Sequence, residues 1–196
     1  MKALIIVDIQ NDFLPGGSLA VPKGDEVIPF INKVQEQYSL IVATQDWHPE
    51  NHSSFASQHA GQQPYDLIQL NGMEQVLWPN HCVQNTMGAE FHPDLQTNNI
   101  AAIFRKGMNP KIDSYSGFFD NGRLNDTGLS GYLKAKKVDE VHICGLAADF
   151  CVFYSAMDAL SLGFRTAILS KGTRAIDREK YMEKKDLFIR EGGRLI

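Results

Sequence analysis

Apolar residues in this chain fall into short, nearly unbroken blocks separated by longer mixed segments. The blocks are Ala3–Val7, Leu40–Ala43, Ile100–Phe104, Val141–Cys144 and Thr166–Leu169, dominated by Ile, Val, Leu and Ala. A strand without a polar face is buried on both sides, as in a parallel sheet covered by helices. Segments of helical period lie between the blocks. Asp25–Gln37 follows a Pro-Lys-Gly turn and sets Val27, Phe30, Ile31 and Val34 on one face. Asp126–Lys137 opens on Asn125 or Asp126 as N-cap and aligns Leu129, Tyr132 and Leu133. Ala148–Leu162 carries Val152, Ser155, Ala156, Ala159 and Leu160 and stops at Gly163. Asp177–Arg190 is a more polar helix. Strands alternating with helices predict an α/β fold with a parallel sheet and right-handed crossovers.

The stretch from His48 to Asn99 breaks this rhythm. It is rich in His, Asn, Gln, Pro and Gly and has no clear period. Long irregular segments inside compact domains usually carry function. No internal repeat or low-complexity tract interrupts the rest.

Composition narrows the classes. The 196 residues suit a single domain spanning 1–196, and 43% hydrophobic with 21% charged residues excludes a disordered chain. A net charge of −4 provides no footprint for nucleic acid. No apolar run approaches the roughly 18 residues of a membrane span. The first apolar block ends at Asp8, too short for a secretory leader. Three cysteines, Cys82, Cys144 and Cys151, make a poor disulfide framework, so a reducing cytoplasm is the expected setting.

In open α/β sheets ligands bind beyond the carboxyl ends of the strands. There the sequence places Asp8, then Asp46 and His48, then Lys106, then Gly145–Cys151. Asp8 is either a turn-forming acid or a general base. Lys106 is either solvated at a strand end or buried beside Asp8. Cys144 reads as a packed strand residue. Cys151 stands at a helix start, where free N–H groups lower a thiol pKa and can hold an oxyanion. Together these residues favour Cys151 as a nucleophile attacking an acyl carbon. Asp46 and His48 fall on one face of an extended strand, with Trp47 on the other. A carboxylate beside imidazole suits a first-row transition metal. His52 and His81 lie in the same irregular segment, whereas His59 and His92 read as surface residues or loop anchors. Phe13, Trp78, Tyr115 and Phe118 sit near the same edge, where an apolar pocket would receive a flat ring.

Six pieces occurring in order carry a resemblance: VDIQNDFLPGGSLAV, TQDWHPENHSSFA, WPNHCVQNTMGAEFHP, FRKG, DSYSGF and GLAADFCV. In them the chain resembles the nicotinamidases (pyrazinamidases) of the isochorismatase-like cysteine hydrolases. The resemblance implies a three-layer fold with a six-stranded parallel sheet. It implies a catalytic triad of Asp8, Lys106 and Cys151. One divalent metal ion, zinc with iron or manganese as alternatives, would be held by Asp46, His48 and His81, with His52 as a candidate further ligand. Phe13, Trp78 and Tyr115 match the ring-binding positions. Ala147 and Cys151 match the oxyanion hole, after a cis peptide between Leu146 and Ala147. The implied reaction is hydrolysis of nicotinamide, and of pyrazinamide, to the acid and ammonia, in a chain that acts alone or as a homo-oligomer. Competing readings are an N-carbamoyl amidase, which would not need the Asp46, His48 and His81 cluster, and a non-enzymatic metal-binding relative. An isochorismatase proper would lack the nucleophilic cysteine.

Overall fold

Each of the five apolar blocks forms a strand in the computed structural model, which describes residues 1–196. They are β1 (Lys2–Val7), β2 (Ile41–Asp46), β5 (Ala102–Lys106), β6 (Glu140–Leu146) and β7 (Arg165–Arg174). A short sixth strand, β8 (Arg194–Leu195), completes the sheet. The order is β5-β2-β1-β6-β7-β8, and every pairing is parallel. From β1 the chain builds outward through β2 to β5, then returns to β6 on the other side. The β1/β6 boundary is therefore a topological switch point.

β1 is buried on both faces from Ala3 to Val7, as its unbroken apolar run predicts. Leu4 and Ile6 point into one core with Ile41, Ala43 and Cys144. That side is covered by α1 (Ile28–Gln35) through Ile28, Ile31 and Val34. Ala3, Ile5 and Val7 point into the other core with Val42, Val141 and Ile143. Three helices cover that face: α2 (Leu129–Ala135) with Leu129 and Leu133, α3 (Cys151–Ser161) with Val152 and Ala156, and α4 (Arg178–Arg190) with Phe188. Each such side chain contributes about 1.5–3 kcal/mol on full burial, so the two cores fix the sheet that positions the site.

Helix starts depart from expectation for local reasons. A 3-10 turn over Gly24–Val27 leads into α1, and Pro29 sits in the first turn, where a missing N–H costs nothing. Asp126 does not cap α2. Its Oδ1 accepts the Gly128 N–H at 2.5 Å, and Gly128, at φ +89°, is the cap residue instead. α3 begins at Cys151 rather than Ala148, because residues 147–150 form the turn that bears the oxyanion candidates. Asp177 caps α4 through the Glu179 and Lys180 N–H groups.

The irregular segment contains one unpredicted unit, an antiparallel hairpin of β3 (Leu67–Leu70) and β4 (Met73–Val76). Its turn is Asn71-Gly72 at φ +52° and +77°, the backbone of a two-residue hairpin loop.

Gly145 is a position where only glycine fits. Its φ is +115°, and a Cβ there would lie 1.9 Å from the Val7 carbonyl oxygen. Gly145→Ala should therefore push β6 off β1 just before the Cys151 turn. The expected cost is roughly 3 kcal/mol or more, a Tm loss on the order of 10 °C for a chain this size. A thermal melt matching the parent would show that the sheet can absorb the methyl.

Candidate active site

The carboxyl ends of four adjacent strands, β5, β2, β1 and β6, converge on one buried cluster. Lys106 ends β5 and pairs in register with Asp46 at the end of β2. Its Nζ donates to Asp46 Oδ1 at 2.5 Å, to the Ser114 carbonyl at 3.0 Å and to Cys151 Sγ at 3.3 Å. Asp8 follows β1 at φ +49°, a left-handed conformation that aspartate tolerates. Asp8 Oδ1 accepts the Thr44 hydroxyl at 2.6 Å. Asp8 Oδ2 lies 2.9 Å from the Lys106 ammonium and has no other polar partner. It is thus a carboxylate oxygen with unspent lone pairs, and it shares a cluster with Asp46 and Cys151 whose ligand atoms all lie within 4.8 Å.

Burial and charge compete at each group. Burial raises the Asp8 pKa, and Lys106 only partly offsets it. Asp46 is buried equally, but Lys106, then His48, hold it well below the usual carboxylate range. Lys106 is held well above its ordinary value because Asp46 and Asp8 outweigh burial. Cys151 departs from expectation. Its position at the start of α3 argues for a depressed thiol pKa, yet burial lifts the thiol well above its ordinary value, against the opposing pull of Lys106. A buried thiol of this kind needs a neighbouring base to lose its proton, and Asp8 Oδ2 is the acceptor beside it.

The turn before Cys151 leaves the donors of both oxyanion candidates free. The N–H groups of Ala147 and Cys151 have no protein acceptor, whereas Ala148 N–H donates to the Arg174 carbonyl at 2.7 Å. Both free donors belong to residues lining the same cavity. The Leu146–Ala147 peptide is cis, as the resemblance implies.

Next to this cluster, Asp46, His48 and His81 converge with ligand atoms all within 4.8 Å. His48 Nδ1 lies 3.0 Å from the Gly107 carbonyl, and His81 Nδ1 lies 2.8 Å from the Pro79 carbonyl. A carbonyl only accepts, so each Nδ1 carries the hydrogen and each neutral ring presents its Nε2 lone pair. Both Nε2 atoms face Asp46 Oδ2, at 3.4 and 3.6 Å. Lone pairs turned on a carboxylate oxygen call for a cation between them. His48 Nε2 is also buried without a hydrogen-bond partner. Two imidazoles and a carboxylate are a good donor set for a divalent transition metal, so these residues can hold a metal ion. Gln10, which sequence reasoning missed, holds this ligand strand: its Nε2 donates to the Asp46 carbonyl and its Oε1 accepts the Asp46 N–H, both at 2.8 Å.

His52 sits beside His48, with ring centroids 4.4 Å apart. Its Nδ1 accepts the Ser54 N–H at 3.2 Å, its Nε2 is buried without a hydrogen-bond partner, and with His48 and Asp113 it forms a second group whose ligand atoms lie within 4.8 Å. Burial, then the nearby His48, pull its pKa down to about 4. His59 anchors a loop through the Ser53 carbonyl, as expected.

A cavity opens above the cluster, with Asp46, His81, Ala147 and Cys151 on its lining. Phe13, Trp78 and Tyr115 form its walls, joined by Leu19, Phe150 and Ile176. Trp78 meets Phe150 edge-on with centroids 4.9 Å apart, and Tyr115 meets it at 5.3 Å. Such a slot fits one flat ring. Phe118 does not belong to it. That ring is fully buried in the core under α3, beside Phe164. Phe150 and Ile176 escaped sequence reading because apolar residues at a helix start and after a strand look like ordinary core. Gln75 of the hairpin ties the wall together, donating to Asp113 at 2.9 Å and to the Tyr115 hydroxyl at 3.1 Å.

The chain belongs to the isochorismatase family: the Isochorismatase domain matches residues 2–193. Its relatives within that family include nicotinamidases. The nicotinamidase of Escherichia coli (strain K12) is 48% identical over 180 residues, covering 90% of this chain and 84% of that protein. The solved nicotinamidase/pyrazinamidase of Acinetobacter baumanii is 44% identical, with a TM-score of 0.97 over 100% of this chain and 95% of that one. The pyrazinamidase of Pyrococcus horikoshii, solved in complex with zinc, is 39% identical with a TM-score of 0.81, covering 100% of this chain and 98% of that one. No helix in the structure is long and apolar enough to cross a membrane.

Proposed function

We propose that this protein is an amidase that hydrolyses nicotinamide, and its close analogue pyrazinamide, to the carboxylic acid and ammonia through a Cys151 thioester. The carrying observation is the convergence of Asp8 Oδ2, Lys106 and the Cys151 thiol at the floor of an aromatic slot, beside two free N–H donors. The nicotinamidase relatives support the choice of ring amide.

Phe13, Trp78 and Tyr115 hold the ring so that its carboxamide carbon lies over the sulfur. Asp8 Oδ2 takes the thiol proton as the S–C bond forms, and the carbonyl π pair moves to oxygen. The Ala147 and Cys151 N–H groups receive that oxyanion. Collapse breaks the C–N bond, and the nitrogen leaves as ammonia with the proton returned from Asp8. The Asp8 carboxylate then takes a proton from water. The resulting hydroxide adds to the thioester carbon, the C–S bond breaks, and the sulfur regains its proton from Asp8. Lys106 keeps Asp46 ionised and faces the sulfur throughout.

Asp46, His48 and His81 are the ligands in this reading, with His52, whose buried Nε2 also lacks a partner, as a candidate further ligand. Zinc is the ion we assign, from the His₂–carboxylate donors and the zinc-bound relative. When bound, it supplies a Lewis-acid anchor for the ring nitrogen. Three free, buried thiols suit the reducing cytoplasm.

Ammonia release from nicotinamide, set against a carbamoyl amide, tests the substrate. Turnover of the carbamoyl amide alone would move the protein to the sister amidases. His48→Ala removes a ligand lone pair and should cut bound metal on purification to a small fraction of the parent's. Full occupancy by elemental analysis would strike His48 from the ligands.

A further inference from the structure

The turn that presents the Ala147 and Cys151 N–H groups is held from outside by a segment no catalytic role touches. Asp149 is fully buried there. Its Oδ1 accepts the Ile176 N–H and its Oδ2 the Asp177 N–H, both at 2.9 Å. Its own carbonyl accepts Lys184 Nζ at 2.6 Å. Lys184 projects from α4 and lies over the rings of Phe150 at 4.5 Å and Tyr154 at 4.7 Å. Side chain and main chain of one residue are thus gripped by the β7–α4 junction and by α4 itself. Three consequences converge on the site. The gripped carbonyl fixes a peptide plane two residues before the nucleophile. The gripped Ile176 N–H fixes a wall of the ring slot. Lys184 also covers Phe150, another wall, a packing role that an apolar side chain of like length can keep.

We propose that Asp149 and Lys184 form a clamp that positions the oxyanion turn, with Lys184 the positioning residue that sets the aim of its donors. Neither side chain contacts the reacting atoms. The clamp acts through the backbone, where displacement of a donor by a fraction of an ångström weakens transition-state binding while leaving the ring slot usable. The inference rests on the amidase reading above.

Lys184→Met tests it, because Met keeps an apolar stem over Phe150 and Tyr154 but cannot donate. The expected result is a kcat on nicotinamide lowered roughly 10- to 100-fold, below the ~100- to 1000-fold effect of deleting an oxyanion donor outright, with KM nearly unchanged. Lys184→Arg should restore most of the rate. The discriminating readout is a pair of ligands. Pyridine-3-carboxaldehyde accepts the Cys151 sulfur at its carbonyl carbon and places an oxyanion on the turn, so its affinity should fall by the same factor as kcat. Nicotinate occupies the slot without that adduct, and its affinity should stay near the parent value. Equal weakening of both ligands, or an unchanged kcat, overturns the clamp. If Lys184→Met does not fold, Asp149→Asn, which is isosteric and loses one of the two accepted N–H bonds, takes the same measurements. An unmodified protein that releases no ammonia from nicotinamide refutes the substrate assignment instead, and the variant-to-parent ratio for the aldehyde adduct still judges the clamp.

Discussion

Cys151→Ala is expected to lower kcat for ammonia release by at least about 10⁴-fold, since removal of a covalent nucleophile abolishes the step that the other groups serve. The same variant should keep its metal and its Tm. The sulfur is buried at the foot of the slot, and its contact with Lys106, at 3.3 Å, is the longest of that ammonium's hydrogen bonds. Its loss leaves Asp46 and the Ser114 carbonyl fully served. The metal-ligand group shares no atom with it. Steady-state ammonia release, elemental analysis and a thermal melt on one preparation give all three numbers. Residual turnover at a tenth of the parent rate would mean that another group attacks the amide.

Lys106→Met should be the most destabilising change in the site. It deletes the one cation between two carboxylates buried at the ends of β1 and β2. Removing one partner of a buried ion pair typically costs 3–5 kcal/mol, on the order of 10 °C or more in Tm here. The pH dependence carries the signature. In the parent, the folded Asp46 pKa lies well below its unfolded value, so its contribution is present above the carboxylate range and fades as acid protonates it. Without Lys106, burial of Asp8 is opposed only by the Thr44 hydroxyl and burial of Asp46 only by His48 and His81, so both folded pKa values rise. The folded variant then binds more protons than its unfolded chain, and its stability rises as pH falls toward those values. Melts at pH 7.5 and 5.5 should show the Tm deficit shrinking at the lower pH. A deficit independent of pH would assign the loss to packing of the lysine stem.

Much of this site is visible in the sequence because a parallel sheet puts its chemistry where apolar runs stop. Asp8, Asp46 and Lys106 each mark such a stop, and the structure brings all three together. Cys151 is legible for a related reason: the Gly-Leu-Ala-Ala turn announces a helix start at a strand's end. What escaped reading depends on partners distant in the chain. β8 has only two residues, too few for any periodic signal. The hairpin did carry one, Asn71-Gly72, hidden between strands of only four residues each. Phe118 reads as a slot residue by its proximity to Tyr115, but three residues further on it lies in the core opposite the one Tyr115 packs against. The thiol pKa was misjudged because a helix terminus is a local feature, whereas desolvation is set by everything packed around the sulfur.

The Lys106 ammonium has three hydrogens and four acceptors around it: Asp46, Asp8, the Ser114 carbonyl and the Cys151 sulfur. Asp8 and the sulfur thus share one cation. The donor that the sulfur needs as it turns anionic is in place before the reaction starts. No group has to move in from elsewhere. Chemistry at this centre is proton traffic through Asp8, from sulfur to the leaving nitrogen and then from water back to sulfur, beneath a stationary cation, and the surrounding dipoles have almost nothing to relearn between one turnover and the next.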